Sequence, residues 1–431
     1  MTSGNISEEP IAYTNSQAVE NLSDLADGFL FHDREIHTRV DDSVVRVNQS
    51  HFYSIRRSRG FAPVPILLPN PMPELLATGP GLKNTFCLLR DNYAFVSHHI
   101  GDLENLETLS ALETSIRHYE QLFRIHPEMI ACDLHPEYLS TRYAEKRAQD
   151  ENLPLLHVQH HHAHLAACLA ENQGTKAETV IGVCFDGTGF GTDGAIWGSE
   201  FLLGGFNGFD RKFHLKYIPL PGGDQATHNP SRIGLAHLWA AGIEWENDLP
   251  SVKEYSPADL EILHSQLENQ INCPPTSSMG RLFDAAASII GVRQSVNYEA
   301  QAAIELEALA DPSETRFYEF VIEDGEFNPN LLWKAIIADL RAHIPAPVLS
   351  ARFHNSVAQL VITICLRIRL ETGIDQIALS GGVWQNQYLL QRTAKKLEEN
   401  DFKVLQHSRF PTNDGGISLG QAMILAHSIN K

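Results

Sequence analysis

Apolar and polar positions along the chain alternate between helical and strand-like spacing. Residues 106–123 carry apolar side chains at helical spacing, whereas residues 179–185 form an apolar, β-branched run typical of a buried strand. Further strands are predicted at 129–134, 153–158 and 377–379, and further helices at 159–169, from about 386, and over 414–426. This alternation favours an α/β fold with helices on both faces of its sheets.

The closely spaced prolines of residues 62–73 indicate a boundary. Such prolines keep the backbone extended, which suits a linker. We therefore expect one domain at residues 1–70 and a larger one at residues 71–431. Within the larger domain, residues 83–98 are predicted to form two strands that turn at residues 90–92.

The chain is strongly acidic, with 53 Asp and Glu residues against 33 Lys and Arg residues and a formal net charge of −20. A field of this sign repels phosphate backbones, so a large nucleic-acid surface is not expected. Small anionic substrates then need a metal ion, backbone amides or single arginines to hold them.

Cysteine usage and hydropathy bear on the compartment. The six cysteines form no CxxC pair, so no zinc-finger ligand set is expected, and their dispersal is typical of a reducing cytosol. The apolar runs are short, so no membrane span is predicted. The first residues lack the charged-then-apolar pattern of a signal peptide.

Four histidines lie within five residues at 160–164. His160 and His164 are four positions apart, so on a helix they share one face and both imidazoles can reach one metal ion. A polar helix start with incidental histidines is the alternative. The density of histidines favours metal or phosphate chemistry.

A glycine-rich segment follows the predicted strand at 179–185. Asp186 is expected at the end of that strand, and the amides of Gly187 and Gly189 could approach a phosphate, with a hydroxyl from Thr188. A plain β-hairpin turn is the alternative, because Gly and Asp are common there.

Two further segments place glycines beside a helix start. Gly381 and Gly382 separate a predicted strand from a helix beginning near Asn386, which suits a nucleotide phosphate or ribose. A tight turn without a ligand is the alternative. Asp414 is interpreted as a metal ligand or as a helix N-cap. The clusters at 222–224, 281–284 and 297–301 are interpreted as loops or helix ends.

Taken in order, these segments resemble the HypF-type carbamoyltransferase family of nickel–iron hydrogenase maturation. The motifs that carry the resemblance are VQHHHAHLAA, FDGTGFGTDG, SSMGRLFDAAAS, YEAQAAIELE, FHNSVAQL, LSGGVWQN and NDGGISLGQA. The chain departs from the family in two places. Ala300 stands where a glycine is usual, and residues 227–232 replace a more basic stretch.

The resemblance implies an actin-like, sugar-kinase-like transferase domain of two ribonuclease-H-like lobes. It also implies a catalytic divalent metal, Fe2+ or Zn2+, and a bound ATP or carbamoyl-adenylate. The implied metal ligands are His160, His164, Asp186 and Asp414. The implied nucleotide contacts are Gly187, Gly189, Gly381, Gly382 and Asn386.

Residues 1–70 resemble the closing segment of a YrdC-like α/β domain. Ser3 and Asn5 match its nucleotide-binding element, and residues 41–44 and 56–60 match its end. The remainder of that domain, an acylphosphatase-like domain and zinc fingers are missing. We therefore interpret the chain as a fragment, a misassigned start or one part of a split protein.

The resemblance implies that carbamoyl phosphate and ATP give carbamoyl-adenylate. The carbamoyl group then passes to the C-terminal cysteine of a HypE-type partner, for the cyanide ligand of the hydrogenase. No nucleic-acid or membrane partner is expected. The alternatives are a tRNA threonylcarbamoyl transferase, a small-molecule O-carbamoyltransferase and a catalytically silent ATP-binding scaffold.

Overall fold

The computed structural model describes residues 4–5, 9–48, 51–172 and 179–429. These residues form two compact units. Unit 1 comprises the described residues within Met1–Lys176 and His407–Lys431, and unit 2 comprises those within Ala177–Gln406. Unit 1 is therefore discontinuous along the chain, and its final segment follows unit 2.

The first segment of unit 1 contains a four-stranded sheet. Its strand order is β4-β3-β5-β6, with β3 antiparallel to β4 and parallel to β5, and with β5 parallel to β6. A separate antiparallel hairpin joins β1 to β2. The elements are α1 (Asn15–Leu22), β1 (Val44–Asn48), β2 (His51–Arg56), β3 (Ile66–Ala77), β4 (Cys87–Val96), α2 (Leu106–Phe123), β5 (Met129–Asp133), α3 (Leu139–Glu151), β6 (Leu155–Val158) and α4 (His160–Glu171).

The core of this segment lies between α2 and the sheet. Helix α2 spans the residues predicted from the sequence, begins after the side-chain cap Asn105, and buries Leu112 and Ile116. These side chains pack with Leu76 of β3 and Ile130 of β5 in one apolar cluster. The spacing of apolar residues thus placed the helix correctly, because its buried face repeats every three to four residues.

The proline-rich segment is a strand rather than a linker. Strand β3 begins at Ile66 and pairs with β4, with register shifts between Leu67 and Leu75 where the prolines remove ladder donors. The turn predicted at residues 90–92 is also wrong, because these residues lie inside β4. Asp91 has a φ of 51°, so turn-forming residues here mark an irregularity in a strand.

Unit 2 is built on a nine-stranded sheet. Its main path is β12-β13-β9-β8-β7-β14-β15, with β7 antiparallel to β8 and parallel to β14. The strands are β7 (Val180–Phe190), β8 (Ile196–Gly205), β9 (Gly208–Leu215), β10 (Ile218–Pro219), β11 (Pro275–Thr276), β12 (Val321–Glu323), β13 (Glu326–Asn328), β14 (Gln376–Ser380) and β15 (Lys403–Leu405).

Helices of unit 2 fill the connections between these strands. They are α5 (Asp224–Thr227), α6 (Pro230–Ala240), α7 (Pro250–Lys253), α8 (Pro257–Glu268), α9 (Met279–Ile290), α10 (Gln301–Leu309), α11 (Asn330–Arg341), α12 (Ala346–Thr372) and α13 (Gln387–Glu399), with a 3-10 turn at Gly382–Gln385. The strand predicted at 377–379 and the helix predicted from about 386 are confirmed.

The final segment of unit 1 returns to α4. It contains a 3-10 turn at Asp414–Gly416 and α14 (Ile417–Ser428), which packs closely against α4. Among the residues described, no helix combines the length and apolar character needed to cross a membrane.

Candidate functional site

The histidine cluster starts α4, directly after β6. Gln159 caps the helix by accepting the amide of His162, so His160 is the first helical residue. His160 and His164 follow one another along one face of the helix and are 0% and 1% exposed, and their ring centroids are 5.0 Å apart. The predicted helix and the shared face are therefore present.

Asp414 completes a buried group of three within unit 1. Its Oδ1 lies 3.7 Å from Nε2 of His160 and 3.8 Å from Nε2 of His164. Nitrogen and carboxylate donors this close together fit one divalent cation such as Fe2+ or Zn2+. Asp414 is not the N-cap, because Asn413 caps this turn by accepting a hydrogen bond from the amide of Gly415.

Close packing of two helices sets this geometry. A Cβ atom at Gly420 of α14 would lie 1.9 Å from the carbonyl oxygen of Ala163 in α4, so only glycine fits there. Ala163 lies between the two histidines in sequence, and Gly420 lies within two turns of Asp414. The backbone contact thus fixes the distance between the helix that carries the histidines and the segment that carries the carboxylate.

A buried carboxylate ties the same two segments at the other end of α4. Glu171 accepts hydrogen bonds from Nδ1 of His407 at 3.0 Å, from the amide and hydroxyl of Ser408, and from the amide of Arg409. Burial acts to raise the pKa of Glu171, but these hydrogen bonds outweigh it and leave the pKa below its usual value.

The two predicted glycine segments meet in unit 2. Strands β7 and β14 pair in parallel up to Ser380, which lies opposite Cys184. Just beyond this point, the amide of Gly382 donates to Oδ1 of Asp186 at 3.0 Å. Gly381 has a φ of 106°, and a Cβ there would lie 2.2 Å from the carbonyl oxygen of Phe185. The glycines therefore allow two backbones to approach closely.

Asp186 does not end its strand as expected. Strand β7 continues to Phe190 with an irregularity between Phe185 and Gly189, and then forms a hairpin with β8. Thr188 lies in this irregular part of the strand. The parallel pairing of β7 with β14 ends before Asp186, although β7 itself continues. The end of the apolar run in the sequence therefore does not mark the end of the strand.

The side chain of Asn386 has structural partners in unit 2. Its Oδ1 accepts the amide of Leu389 and so caps α13, and its Nδ2 lies 2.9 Å from Nε2 of His354. Burial lowers the pKa of His354 to about 4, so this histidine is a neutral acceptor at pH 7. The predicted nucleotide contact of Asn386 stays a prediction.

The remaining predicted site residues are Ser3, Asn5 and Asp186. Ser3 lies outside the described residues. Asn5 donates from Nδ2 to the carbonyl oxygen of Glu9 at 3.1 Å. Asp186 belongs to unit 2, whereas His160, His164 and Asp414 belong to unit 1. Its role as a fourth metal ligand therefore stays a prediction.

Family models match most of the chain. A "HypF Kae1-like domain" model matches residues 70–171, and a "Carbamoyltransferase, Kae1-like Domain, second subdomain" model matches residues 182–421. A Sua5/YciO/YrdC model, described as "Telomere recombination", matches residues 1–58. The chain belongs to the HypF carbamoyltransferase family. The expected family, and a YrdC-type segment at the amino terminus, are thereby confirmed.

Several HypF relatives align with nearly the whole chain. Carbamoyltransferase HypF of Synechocystis is 40% identical over 98% of this chain and 56% of its own length. A HypF homolog of Cupriavidus necator is 35% identical over 82% of this chain and 91% of its own length. The chain spans about half the length of the first of these relatives.

Solved HypF structures have the same fold. Full-length HypF in a phosphate- and nucleotide-bound form superposes with a TM-score of 0.94, at 44% identity, over 100% of this chain and 56% of that one. HypF of T. kodakarensis superposes with a TM-score of 0.92 at 32% identity, over 100% of this chain and 58% of that one. The predicted fold class, a two-lobed actin-like transferase domain with a partial YrdC-like segment, is confirmed.

Two polar residues of interest were given no role in the site from the sequence. Arg281 was interpreted as a helix end, yet its guanidinium approaches Gly187, where a Cβ would lie 4.0 Å away, and its Nε lies 2.8 Å from Asp284. Asp133 was part of a predicted strand only, yet its carboxylate contacts His160 at 2.8 Å. A carboxylate at a strand end was the available signal for Asp133.

Proposed function

We propose that the chain is a carbamoyltransferase. It would pass the carbamoyl group of carbamoyl-adenylate to the C-terminal cysteine thiol of a HypE-type hydrogenase-maturation partner. The observation that carries this proposal is the buried group of His160, His164 and Asp414 in a chain of the HypF family. Because the chain spans about half of its full-length relatives, the proposal concerns the transfer step first.

The proposed metal ion is held by Nε2 of His160, Nε2 of His164 and Oδ1 of Asp414, with Asp186 as the fourth ligand. Two imidazoles and two carboxylates suit Fe2+ or Zn2+. A bound divalent cation would supply positive charge that offsets the phosphate and polarises the carbonyl. The buried position of the three unit 1 ligands supports this role, because excluding water strengthens electrostatic interactions.

The proposed nucleotide site uses the backbone around Asp186 and Gly382. Amides of Gly187 and Gly189 are the proposed phosphate contacts, with Arg281 as the nearby cation. Gly382, whose own amide donates to Asp186, is proposed to let the nucleotide approach the backbone closely. The HypF relative solved with phosphate and nucleotide supports ATP or carbamoyl-adenylate as the ligand. The predicted contacts of Ser3, Asn5, Thr188, Gly381 and Asn386 are retained as part of this proposal.

The proposed transfer exchanges an oxygen–carbon bond of the adenylate for a sulfur–carbon bond of the partner. The thiolate sulfur of the partner attacks the carbamoyl carbon, a carbon–sulfur bond forms, and the bond from that carbon to the phosphate oxygen of the adenylate breaks. AMP leaves with the bonding electron pair, and the proton of the thiol passes to solvent. The products are a thiocarbamate on the partner and AMP. We propose the reducing cytosol as the location, because the acceptor must be a free thiol.

A two-arm assay tests this proposal. One arm measures pyrophosphate release from carbamoyl phosphate and ATP, and the other measures thiocarbamate mass on the partner after addition of carbamoyl-adenylate. We expect transfer without pyrophosphate release, because the YrdC-type match is confined to residues 1–58. Robust pyrophosphate release by this chain alone would show that it also makes carbamoyl-adenylate, and would refute this expectation.

The second arm also separates the alternatives. Parallel incubations replace the partner by tRNA or by a small-molecule hydroxyl acceptor. Carbamoylation of either acceptor in place of the partner thiol would favour the corresponding alternative enzyme. Absence of all transfer, with metal and nucleotide both bound, would favour the catalytically silent scaffold.

A further inference from the structure

A buried carboxylate lies behind the histidine cluster of unit 1. Asp133 ends β5, and its Oδ2 lies 2.8 Å from Nδ1 of His160. Both side chains are 0% exposed. This contact is on the side of the imidazole ring away from Asp414, because Asp414 approaches Nε2 of the same ring.

The position of Asp133 follows from the sheet. Strands β5 and β6 are parallel neighbours, and Asp133 lies opposite Val158, the last residue of β6. Since α4 begins two residues later, the end of β5 and the start of α4 lie side by side. The other oxygen of Asp133, Oδ1, accepts the amide of His135 at 2.9 Å, and its main-chain oxygen accepts the hydroxyl of Thr141.

These contacts constrain where His160 carries its proton. A carboxylate only accepts hydrogen bonds, so Nδ1 of His160 must be the donor in the 2.8 Å contact. A neutral imidazole that is protonated at Nδ1 has its lone pair on Nε2. Nε2 is the atom that faces Asp414.

We propose that Asp133 is a positioning residue for the metal centre. It holds His160 in the Nδ1–H tautomer and fixes the orientation of the ring, so that the lone pair of Nε2 faces the proposed cation. This inference rests on the metal site of the proposed function. It adds a residue that touches neither the cation nor the substrate.

An isosteric substitution gives a sharp test. In Asp133→Asn, one of the two oxygens becomes an NH2 donor. The amide of His135 cannot change its role, so the remaining oxygen faces His135 and the NH2 faces Nδ1 of His160. Nδ1 must then accept, which moves the proton to Nε2 and removes the lone pair needed by the cation.

The first measurement is zinc affinity, by competition with a fluorescent chelator at pH 8. We expect Asp133→Asn to weaken Zn2+ binding by about 10–100-fold, the usual cost of losing such a partner. Asp150→Asn is the matched control, because its carboxylate is exposed on α3 and pairs with Lys146 at 3.7 Å. Unchanged zinc affinity in a folded Asp133→Asn variant would overturn the proposal.

The second measurement is the tautomer itself, by nitrogen-15 NMR of histidine-labelled, metal-free protein at pH 8. We expect Nδ1–H for His160 in the unchanged chain and Nε2–H in Asp133→Asn. An Nε2–H tautomer in the unchanged chain would overturn the proposal even if the variant fails to fold. Full zinc affinity in His160→Ala, together with the Nδ1–H tautomer in the unchanged chain, would refute the metal site of the proposed function. It would not refute the control of the His160 tautomer by Asp133.

Discussion

Gly420 lies against the carbonyl oxygen of Ala163 so closely that a Cβ atom would be 1.9 Å from that oxygen. This backbone contact joins α14, which follows Asp414, to α4 between His160 and His164. The separation of the proposed metal ligands in unit 1 therefore depends on the absence of a single methyl group.

Gly420→Ala should destabilise the chain although alanine is the better helix former. The added methyl group must push α14 away from α4, at a cost of roughly 1–3 kcal/mol or more, against a gain of about 1 kcal/mol in helix propensity. The free energy of unfolding, measured in urea, and the affinity for zinc would both fall. Gly28→Ala is the control, because no atom of the described residues lies within 4 Å of its Cβ position. Equal stability of the two variants would contradict this reasoning.

His164→Ala should reduce metal content and carbamoyl transfer together. Loss of a ligand worth ~3 kcal/mol would weaken affinity by about 100-fold, measured as bound metal after dialysis. His157→Ala is the control, since this exposed histidine pairs with Glu145. Full metal occupancy in a His160→Ala/His164→Ala double variant would place the ligands elsewhere.

Gly382→Val should weaken nucleotide binding while the chain stays folded. The branched side chain obstructs the close approach of a nucleotide to the backbone at Gly382, whose amide donates to Asp186. The measurement is titration calorimetry with ATP, and thermal melting checks the fold. Unchanged affinity in a folded variant would count against the placement of the nucleotide at this segment.

Ala300→Gly should stabilise unit 2. Ala300 precedes α10 with a φ of 60°, a left-handed conformation that costs an alanine about 1–2 kcal/mol. Glycine avoids this cost but loses about 0.4–1 kcal/mol through the flexibility of the unfolded chain, so a net gain of about 0.5–1 kcal/mol is expected. Ala310→Gly, at a φ of −60°, should destabilise instead. A lower melting temperature for Ala300→Gly would refute this expectation.

Glu171→Gln should make stability less dependent on pH. Because the pKa of Glu171 is lower in the folded chain than in the unfolded chain, its charge stabilises the fold above the usual pKa of about 4.5, and this contribution is lost as pH falls further. At pH 7 the variant should lose about 1.5–3 kcal/mol, the cost of a hydrogen bond to a charged group. The two unfolding free energies should converge below pH 4, and a constant difference across pH 3–7 would contradict the prediction.

Local patterns predicted local elements well. The helix at Leu106–Phe123 repeats its apolar face over five turns, so its limits could be predicted from spacing alone. At residues 90–92 the same approach wrongly predicted a turn. Asp91 adopts the left-handed backbone conformation that turn residues favour. The strand nevertheless continues through it, because β4 is paired with β3 on both sides, and the local sequence does not encode this pairing.

Residue types and spacing predicted the part of the candidate site that lies within one helix. The shared face of His160 and His164 follows from a four-residue interval within one helix. The contact between Asp133 and His160 depends on the parallel pairing of β5 with β6, which the interval between the two residues does not encode. Arg281 near Gly187 likewise depends on where α9 packs in unit 2.

The discontinuity of unit 1 has a consequence during synthesis. A ribosome that adds roughly 5–20 residues per second delivers the helix of His160 and His164 well before it reaches Asp414, because all of unit 2 is translated between them. A nascent chain therefore presents the two histidines without Asp414 for many seconds. Loading of the proposed metal ion would be a step that follows translation of α14, and any cation captured earlier would be held by an incomplete set of ligands.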